Sequence, residues 1–152
     1  MVNTTYTATV TTGAKDLAGN ALASPHHTNI YVGGPSDTTP DTTPPTVSST
    51  VPANNGTGVA LNAAVSAIFS EVMDPLSITT ATFTLKQGTT PVSGAVTYSG
   101  VTAVFTPASN LTASTTYTAT ITTEAKDLAG NALAVNKVWS FTTGAVSGQL
   151  TV

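Results

Sequence analysis

The chain has no cysteine, no arginine and very little charge. Its 152 residues include four lysines and seven acidic side chains, so charged residues make up 7% of the total and the net charge is −3. Without cysteine, a disulfide framework and a thiolate metal site are both excluded. So few cations offer little to a phosphate backbone, and we therefore expect no nucleic-acid partner.

Long apolar runs are also lacking. No run approaches the roughly 18 residues of a membrane-spanning helix, so we expect no membrane insertion. The first residues, MVNTT, have neither the basic region nor the apolar region of a signal peptide, and a strand-like pattern follows at once. We therefore expect the chain to be a segment of a longer protein.

What the chain does contain is an internal repeat. The stretch TTYTATVTTGAKDLAGNALA, residues 4–23, returns as TTYTATITTEAKDLAGNALA, residues 115–134, with only two differences. The copies are offset by 115 − 4 = 111 residues. This spacing is close to the roughly 100 residues of a small β-sandwich domain and far from the shorter periods of solenoids.

From Val47 onward, apolar and polar residues alternate in short runs that are separated by turn residues such as PANNGTG and KQGTTP. A period of two is typical of strands with one buried face. The pattern predicts an all-β, immunoglobulin-like Greek-key sandwich of about seven strands. The positions expected to face its core are Val65, Ala67, Phe69, Phe83, Leu85, Ala103, Phe105, Tyr117, Ala119, Ile121, Trp139 and Phe141. The threonines between them, Thr116, Thr118, Thr120 and Thr122, are expected to face water.

Two local signals refine this fold. Asp74 followed by Pro75 predicts a capped helical turn, since proline fits the first helical position. Leu111 precedes Tyr117 by six residues across a polar corner, which predicts a tyrosine corner, a feature of Greek-key sandwiches.

Composition divides the chain into four parts. We assign residues 1–32 to the last hairpin of a preceding repeat, 33–46 to a linker rich in proline and threonine, 47–144 to a complete domain, and 145–152 to a tail or the start of another linker. The first hairpin lacks the aromatic anchors of the second. At the 111-residue offset, Thr28 replaces Trp139 and Ile30 replaces Phe141.

The stretches FSEVMDP and KDLAGNAL, with the closing WSFTT, resemble the bacterial immunoglobulin-like repeats (Big-type) of surface-layer proteins, adhesins and multidomain secreted proteins. The resemblance covers residues 44–144, and residues 4–33 as a fragment. It implies a secreted or cell-surface β-sandwich that serves as a spacer or stalk, and it implies no catalytic residues.

The KDLAGN loop is also the main candidate for a metal site. Oxygen atoms of Asp127, Asn131, Glu71 and Asp74, or of Asp16 and Asn20 in the first copy, are the ligand type that calcium prefers. No EF-hand spacing is present, and a hairpin turn with a positive φ at Gly130 explains the same residues. We therefore favour the turn and keep calcium as the alternative.

Other binding chemistry has few candidates. His26 and His27 are adjacent, so on a strand they would point to opposite faces, and we expect both to lie in a solvated loop. Both histidines lie outside the complete domain, so the sequence of that domain does not predict a serine-histidine-aspartate triad. Only Tyr31 and Tyr98 are expected to face outward, as a carbohydrate site would need.

Three functions remain after these exclusions. The favoured one is a non-catalytic structural repeat whose partners are neighbouring repeats. A second is self-assembly, in which the first hairpin pairs with or swaps into another copy of the chain. The third is an adhesion module that binds calcium or carbohydrate.

Overall fold

The computed structural model describes residues 4–32 and 39–146. The chain divides into two compact units, Met1–Pro40 and Asp41–Val152. The second unit therefore begins within the segment that composition assigns to the linker. Of that segment, Pro45 is among the fully buried side chains. Residues 33–38 and the tail beyond residue 146 lie outside the described residues.

The first unit is an antiparallel hairpin of two strands, β1 (Thr4–Val10) and β2 (His26–Val32). The pairing places Ala8 opposite Thr28. The two equivalent residues in the second copy, Ala119 and Trp139, are paired in the same way. The two copies of the repeat thus share their strand register as well as their sequence.

The second unit is a sandwich of two sheets. One sheet has the strand order β4-β11-β10-β6-β7, and the other has the order β3-β5-β9-β8. The strands are β3 (Val47–Val51), β4 (Gly56–Val59), β5 (Val65–Phe69), β6 (Phe83–Gln87), β7 (Thr90–Pro91), β8 (Gly94–Ser99), β9 (Thr102–Pro107), β10 (Thr116–Ile121) and β11 (Lys137–Thr143).

This strand order confirms the predicted immunoglobulin-like Greek key, since each sheet joins strands that are distant in sequence. Nine strands are described in the unit instead of about seven. The first part of the domain is divided between the sheets, with β3 in one and β4 in the other, and the two-residue β7 adds an edge beside β6.

The core lies between the sheets and has the residues that alternation predicts. All twelve positions expected to face inward are buried. Phe83 lies near its centre, because its ring is 5.9 Å from that of Phe105 and 5.8 Å from that of Trp139 between ring centroids. Loop residues that the period of two does not mark, such as Met73 and Leu133, complete the packing.

The threonine row on β10 is less exposed than predicted. Thr116 is exposed, but Thr118 and Thr120 on β10, and Thr122 directly after it, are half-buried. The reason is the position of β10 inside its sheet, where β6 and β11 flank it on both sides. Side chains on the neighbouring strands cover part of the outer face, as in the 3.5 Å contact between the hydroxyl groups of Thr118 and Ser140.

Both local predictions are confirmed. The hydroxyl of Tyr117 accepts a hydrogen bond from the backbone N–H of Thr112 at 2.8 Å, and Leu111 is buried beside this corner. A 3₁₀ turn spans Pro75–Ser77, and the Asp74 side chain caps it by accepting from the backbone N–H of Leu76 at 3.0 Å. No helix within residues 4–32 and 39–146 has the length and apolar character that crossing a membrane requires.

Candidate functional site

The KDLAGN loop of the second unit is organised by one aspartate. The Oδ1 atom of Asp127 accepts from the backbone N–H of Asn131 at 2.8 Å, and Oδ2 accepts from the side-chain amide of Asn131 at the same distance. Gly130 has a φ of +93°, a conformation that glycine adopts without strain. The predicted turn is therefore confirmed.

The first unit repeats this loop almost atom for atom. Asp16 accepts from the backbone N–H of Asn20 at 2.8 Å and from its side-chain amide at 2.9 Å, while Gly19 has a φ of +88°. The two loops lie in different environments, since Asp16 is exposed and Asp127 is buried, yet their geometry is the same. Its conformation is therefore set by its own sequence.

In the second unit the loop meets a second acidic segment. Met73 forms a β-bridge with Asp127, and the backbone N–H of Asp74 donates to the carbonyl oxygen of Lys126 at 2.8 Å. These bonds bring the segment after β5 against the last hairpin. As a result, single carboxylate oxygens of Asp41, Glu71 and Asp127 all lie within 4.8 Å of one another.

The members of this acidic cluster (Asp41, Glu71 and Asp127) differ from the set that the sequence suggested. Glu71 and Asp127 were expected, whereas the Asp74 carboxylate caps the 3₁₀ turn. Asp41 was missed because its sequence context, PDTTPP, is typical of a linker. Its backbone carbonyl accepts from the side-chain amide of Asn131 at 3.0 Å, so Asn131 joins two members of the cluster.

Two carboxyl groups of the cluster have pKa values that are shifted in opposite directions. Partial burial raises the pKa of Glu71, and the charges of Asp41 and Asp127 raise it further. Burial also acts to raise the pKa of Asp127, but the hydrogen bonds from Asn131 and the loop backbone outweigh it, and the net shift is downward. The loop thus stabilises the ionised form of Asp127, while the ionised form of Glu71 is disfavoured beside it.

Asp16 provides an internal comparison. The side-chain hydrogen bond from Asn20 lowers the pKa of Asp16, and the backbone bonds of the same loop lower it further. The loop therefore stabilises its aspartate as an anion in both units. Only the second unit adds carboxylates beside it among the described residues.

Three close carboxylates can supply oxygen ligands to a hard cation. In Asp127, both oxygens already accept from Asn131, which leaves fewer lone pairs for an ion. The assignment of calcium to Asp127, Asn131 and Glu71, or to Asp16 and Asn20, stays a prediction from the sequence.

The remaining sequence candidates have structural partners. His26 and His27 lie on strand β2, so the expectation of a loop was wrong, and Nδ1 of His27 is 3.0 Å from the hydroxyl of Thr9. Tyr98 was expected outside but is half-buried, because its hydroxyl accepts from Met73 N–H at 2.7 Å and donates to the Gly100 carbonyl at 2.5 Å. The side chain of Tyr31 lies outside the described part.

The fold places the second unit in the class of immunoglobulin-like β-sandwich domains. The family model for the bacterial Ig-like domain, Big_5, matches residues 41–143. The chain belongs to this family. The matched region begins at Asp41, as the compact second unit does.

Solved structures show the same fold at low sequence identity. Domains 1–6 of the surface-layer protein SbsC match with a TM-score of 0.52 and 21% identity over 68% of this chain. CopC from Methylosinus trichosporium OB3b matches with a TM-score of 0.57 and 12% identity over 68% of this chain and 97% of its own. At such identities the likeness shows the fold alone.

The chain spans only a small part of the surface-layer proteins. It covers 14% of the SbsC chain of domains 1–6 and 24% of a chain that comprises the N-terminal part of the same bacterial protein, again at 21% identity and a TM-score of 0.52. No curated protein matches this chain.

Proposed function

We propose that this chain is a non-catalytic, load-bearing structural repeat of an extracellular or cell-surface bacterial protein. The observation that carries the proposal is the pairing of β4 with β11. These two strands run parallel, with Gly56 opposite Phe141 and Val59 opposite Thr143. They join a segment near the start of the domain to its last strand.

Parallel pairing determines how tension acts on these strands. A pull on the N-terminal side draws β4 toward its own start, while a pull on the C-terminal side draws β11 toward its own end. Because the strands are parallel, these forces are opposite and lie along the strand direction. The hydrogen bonds between them are then loaded together in shear, whereas an unzipping load breaks bonds one after another.

Further bonds lie at both ends of this strand pair. At one end, the backbone N–H of Asn55 donates to the carbonyl of Ser140 at 2.7 Å, and the Ser140 N–H donates to Oδ1 of Asn54 at 3.1 Å. At the other end, the N–H of Gly144 donates to the carbonyl of Val59 at 2.9 Å. We call β4, β11 and these flanking bonds the terminal clamp.

Family and composition support the same role. The family is that of bacterial Ig-like domains, and two of the matching structures belong to a bacterial surface-layer protein. A charged fraction of 7% suits a passive spacer surface, since it offers few groups for steering a charged partner.

Single-molecule force spectroscopy with two pulling geometries tests the proposal. The chain has no cysteine, so introduced thiols provide unique attachment points. Thr42→Cys with Val146→Cys loads the terminal clamp in shear. Ala60→Cys with Val146→Cys pulls both strands from the same end and unzips the clamp. All three sites are exposed.

We expect a higher unfolding force in the shear geometry than in the unzipping geometry. Asn54→Ala, which removes one bond of the clamp, should lower the force in shear. Asn110→Ala, at an exposed asparagine outside the clamp, should leave it unchanged. Equal forces in the two geometries, or extension without a cooperative unfolding event, would contradict the load-bearing role.

A further inference from the structure

The hairpin of the first unit has the backbone of a sandwich hairpin, but among the described strands it forms a sheet of its own with no further strand paired to it. Its strand register and loop bonds match those of the β10–β11 hairpin at a constant offset of 111 residues. In the second unit, the inner face of this hairpin forms half of a core. The side chains described in the first unit allow a direct comparison of the two faces.

Residues that are buried in the second copy are exposed in the first. Val10 is 50% exposed where its counterpart Ile121 is 1% exposed. Leu22 is 40% exposed where Leu133 is 5% exposed. The same holds for Ala8, which is exposed although its counterpart Ala119 is buried. The described apolar positions that the two hairpins share are thus covered in the second unit and exposed in the first.

The edges of the hairpin are open as well. In the second unit, β10 pairs with β6 on its outer side, and β11 pairs with β4. The first unit is a sheet of two strands only, so neither β1 nor β2 has such a neighbour among the described residues. Within the described part of the chain, both edges of the hairpin, and its face at Ala8, Val10 and Leu22, therefore lack the elements that complete its copy.

We propose that the first unit is the closing hairpin of a second immunoglobulin-like sandwich. The partner that covers it is an immunoglobulin-like segment equivalent to residues 41–114, located immediately before the hairpin in the same polypeptide. Such a segment carries all the missing elements, namely the sheet β3-β5-β9-β8 for the face and β6 and β4 for the edges. This inference concerns the first unit and does not depend on the load-bearing role of the second.

The second copy of the repeat indicates the source of this partner. There, the covering segment directly precedes its hairpin and connects to it through residues 108–115. Another molecule of this chain is a poorer partner, since its four-stranded sheet is already covered by its own hairpin, with Trp139 and Phe141 in the core. The first hairpin has Thr28 and Ile30 at those positions and would bury less apolar surface in an exchange.

The test extends the full chain at its N-terminal end. A second copy of residues 41–114 replaces residues 1–3, so that its Ser114 precedes Thr4 as Ser114 precedes Thr115 in the natural chain. The measurement is amide hydrogen exchange along β1, with β10 of the same molecule as a reference for folding. We expect exchange in β1 to slow by on the order of 100-fold or more relative to the 152-residue chain.

Matched variants separate closure from other effects. In the extended chain, Ala8→Asp places a charge at the equivalent of the buried Ala119 and should abolish the protection of β1. Gly13→Glu adds the same charge where the second copy has the exposed Glu124, and should preserve it. A further variant of the extended chain carries Thr28→Trp and Ile30→Phe. It gives the first hairpin the aromatic residues that the added copy of residues 41–114 contacts in its natural sandwich.

Protection of β1 in the extended chain, with or without the restored anchors, supports the proposal. If β1 exchanges as fast in both extended chains as in the 152-residue chain while β10 stays protected, the proposal is wrong. It is also overturned if light scattering shows the 152-residue chain to be a dimer in which β1 is already protected, since the cover would then be a second copy.

Discussion

A Cβ atom on Gly94 would lie 2.5 Å from the carbonyl oxygen of Thr106, on the neighbouring strand β9. It would also lie 2.6 Å from Cε1 of Phe105, whose ring is part of the core. One of the obstructing atoms is backbone and another belongs to a buried ring, so neither can move freely. The start of β8 therefore requires glycine for reasons of space.

We predict that Gly94→Ala destabilises the second unit by about 1–3 kcal/mol through overpacking. The measurement is the free energy of unfolding from urea denaturation. Gly144→Ala is the matched control, because its Cβ would meet its nearest atoms at 3.6 Å, which is ordinary contact. Equal stability of Gly94→Ala and the unaltered chain would show that β8 can shift away from β9.

Comparison of the two hairpins suggests a substitution that measures how much Trp139 contributes to the stability of the second unit. Trp139→Thr gives the second unit the residue that the first has at position 28, and removes a side chain that is 1% exposed and packs on Phe83. We expect a loss of about 3–5 kcal/mol, as for other deletions of large buried aromatics. Thermal and urea unfolding measure it. Val138→Thr, at a neighbouring side chain that is exposed, should change stability by less than about 0.5 kcal/mol.

Removal of the hydroxyl group at the tyrosine corner should cost less stability than removal of the Trp139 side chain. Tyr117→Phe keeps the ring, which stacks on Phe141 with centroids 5.9 Å apart, but removes the acceptor for the N–H of Thr112. We expect a loss of about 1 kcal/mol. Tyr117→Leu should cost more, because it also removes the ring. If the two variants were equally stable in urea denaturation, the ring would contribute nothing beyond its bulk.

The acidic cluster predicts a stability that depends on pH. Because the pKa of Glu71 is raised in the folded protein, its contribution to stability is full below the ordinary value of 4.5 and is lost as pH rises through the raised pKa. Glu71→Gln avoids this loss. We therefore expect its melting temperature to match that of the unaltered chain in acid and to exceed it at neutral pH.

The control for this prediction is Glu124→Gln, which removes the same charge from an exposed position outside the cluster. Its melting temperature should follow that of the unaltered chain across the pH range. Melts with calcium and with a chelator extend the test. If calcium stabilises the unaltered chain at neutral pH and Glu71→Gln abolishes the effect, an ion offsets the repulsion in the cluster.

Much of the fold could be predicted because its signals are local. Alternation along each strand identified the core face, since a period of two sends neighbouring side chains to opposite sides. The KDLAGN loop was predicted as a turn because its aspartate, glycine and asparagine satisfy one another within six residues. That its form is the same in both units agrees with this local origin.

The acidic cluster could be predicted only in part. Glu71 and Asp127 come together only because the segment after β5 bonds to the last hairpin, and no local pattern encodes that contact. Asp41 joins them from a stretch whose composition is that of a linker. The half-burial of the β10 threonines likewise depends on which strands lie beside β10, which alternation does not specify.

The sequence by itself determined the repeat, the inward faces of the strands with their core residues, and the loop conformation, because each depends on neighbours along the chain. Tertiary structure decided which strands pair, and with that the parallel clamp, the acidic cluster and the different surroundings of two hairpins whose first strand and loop are nearly the same in sequence. Residues 4–23 and 115–134 differ at two positions, yet Val10 is exposed and Ile121 is buried. The physical reason is that a side chain becomes buried only when another sheet covers its face. Among the described residues, only the second hairpin has such a sheet opposite it.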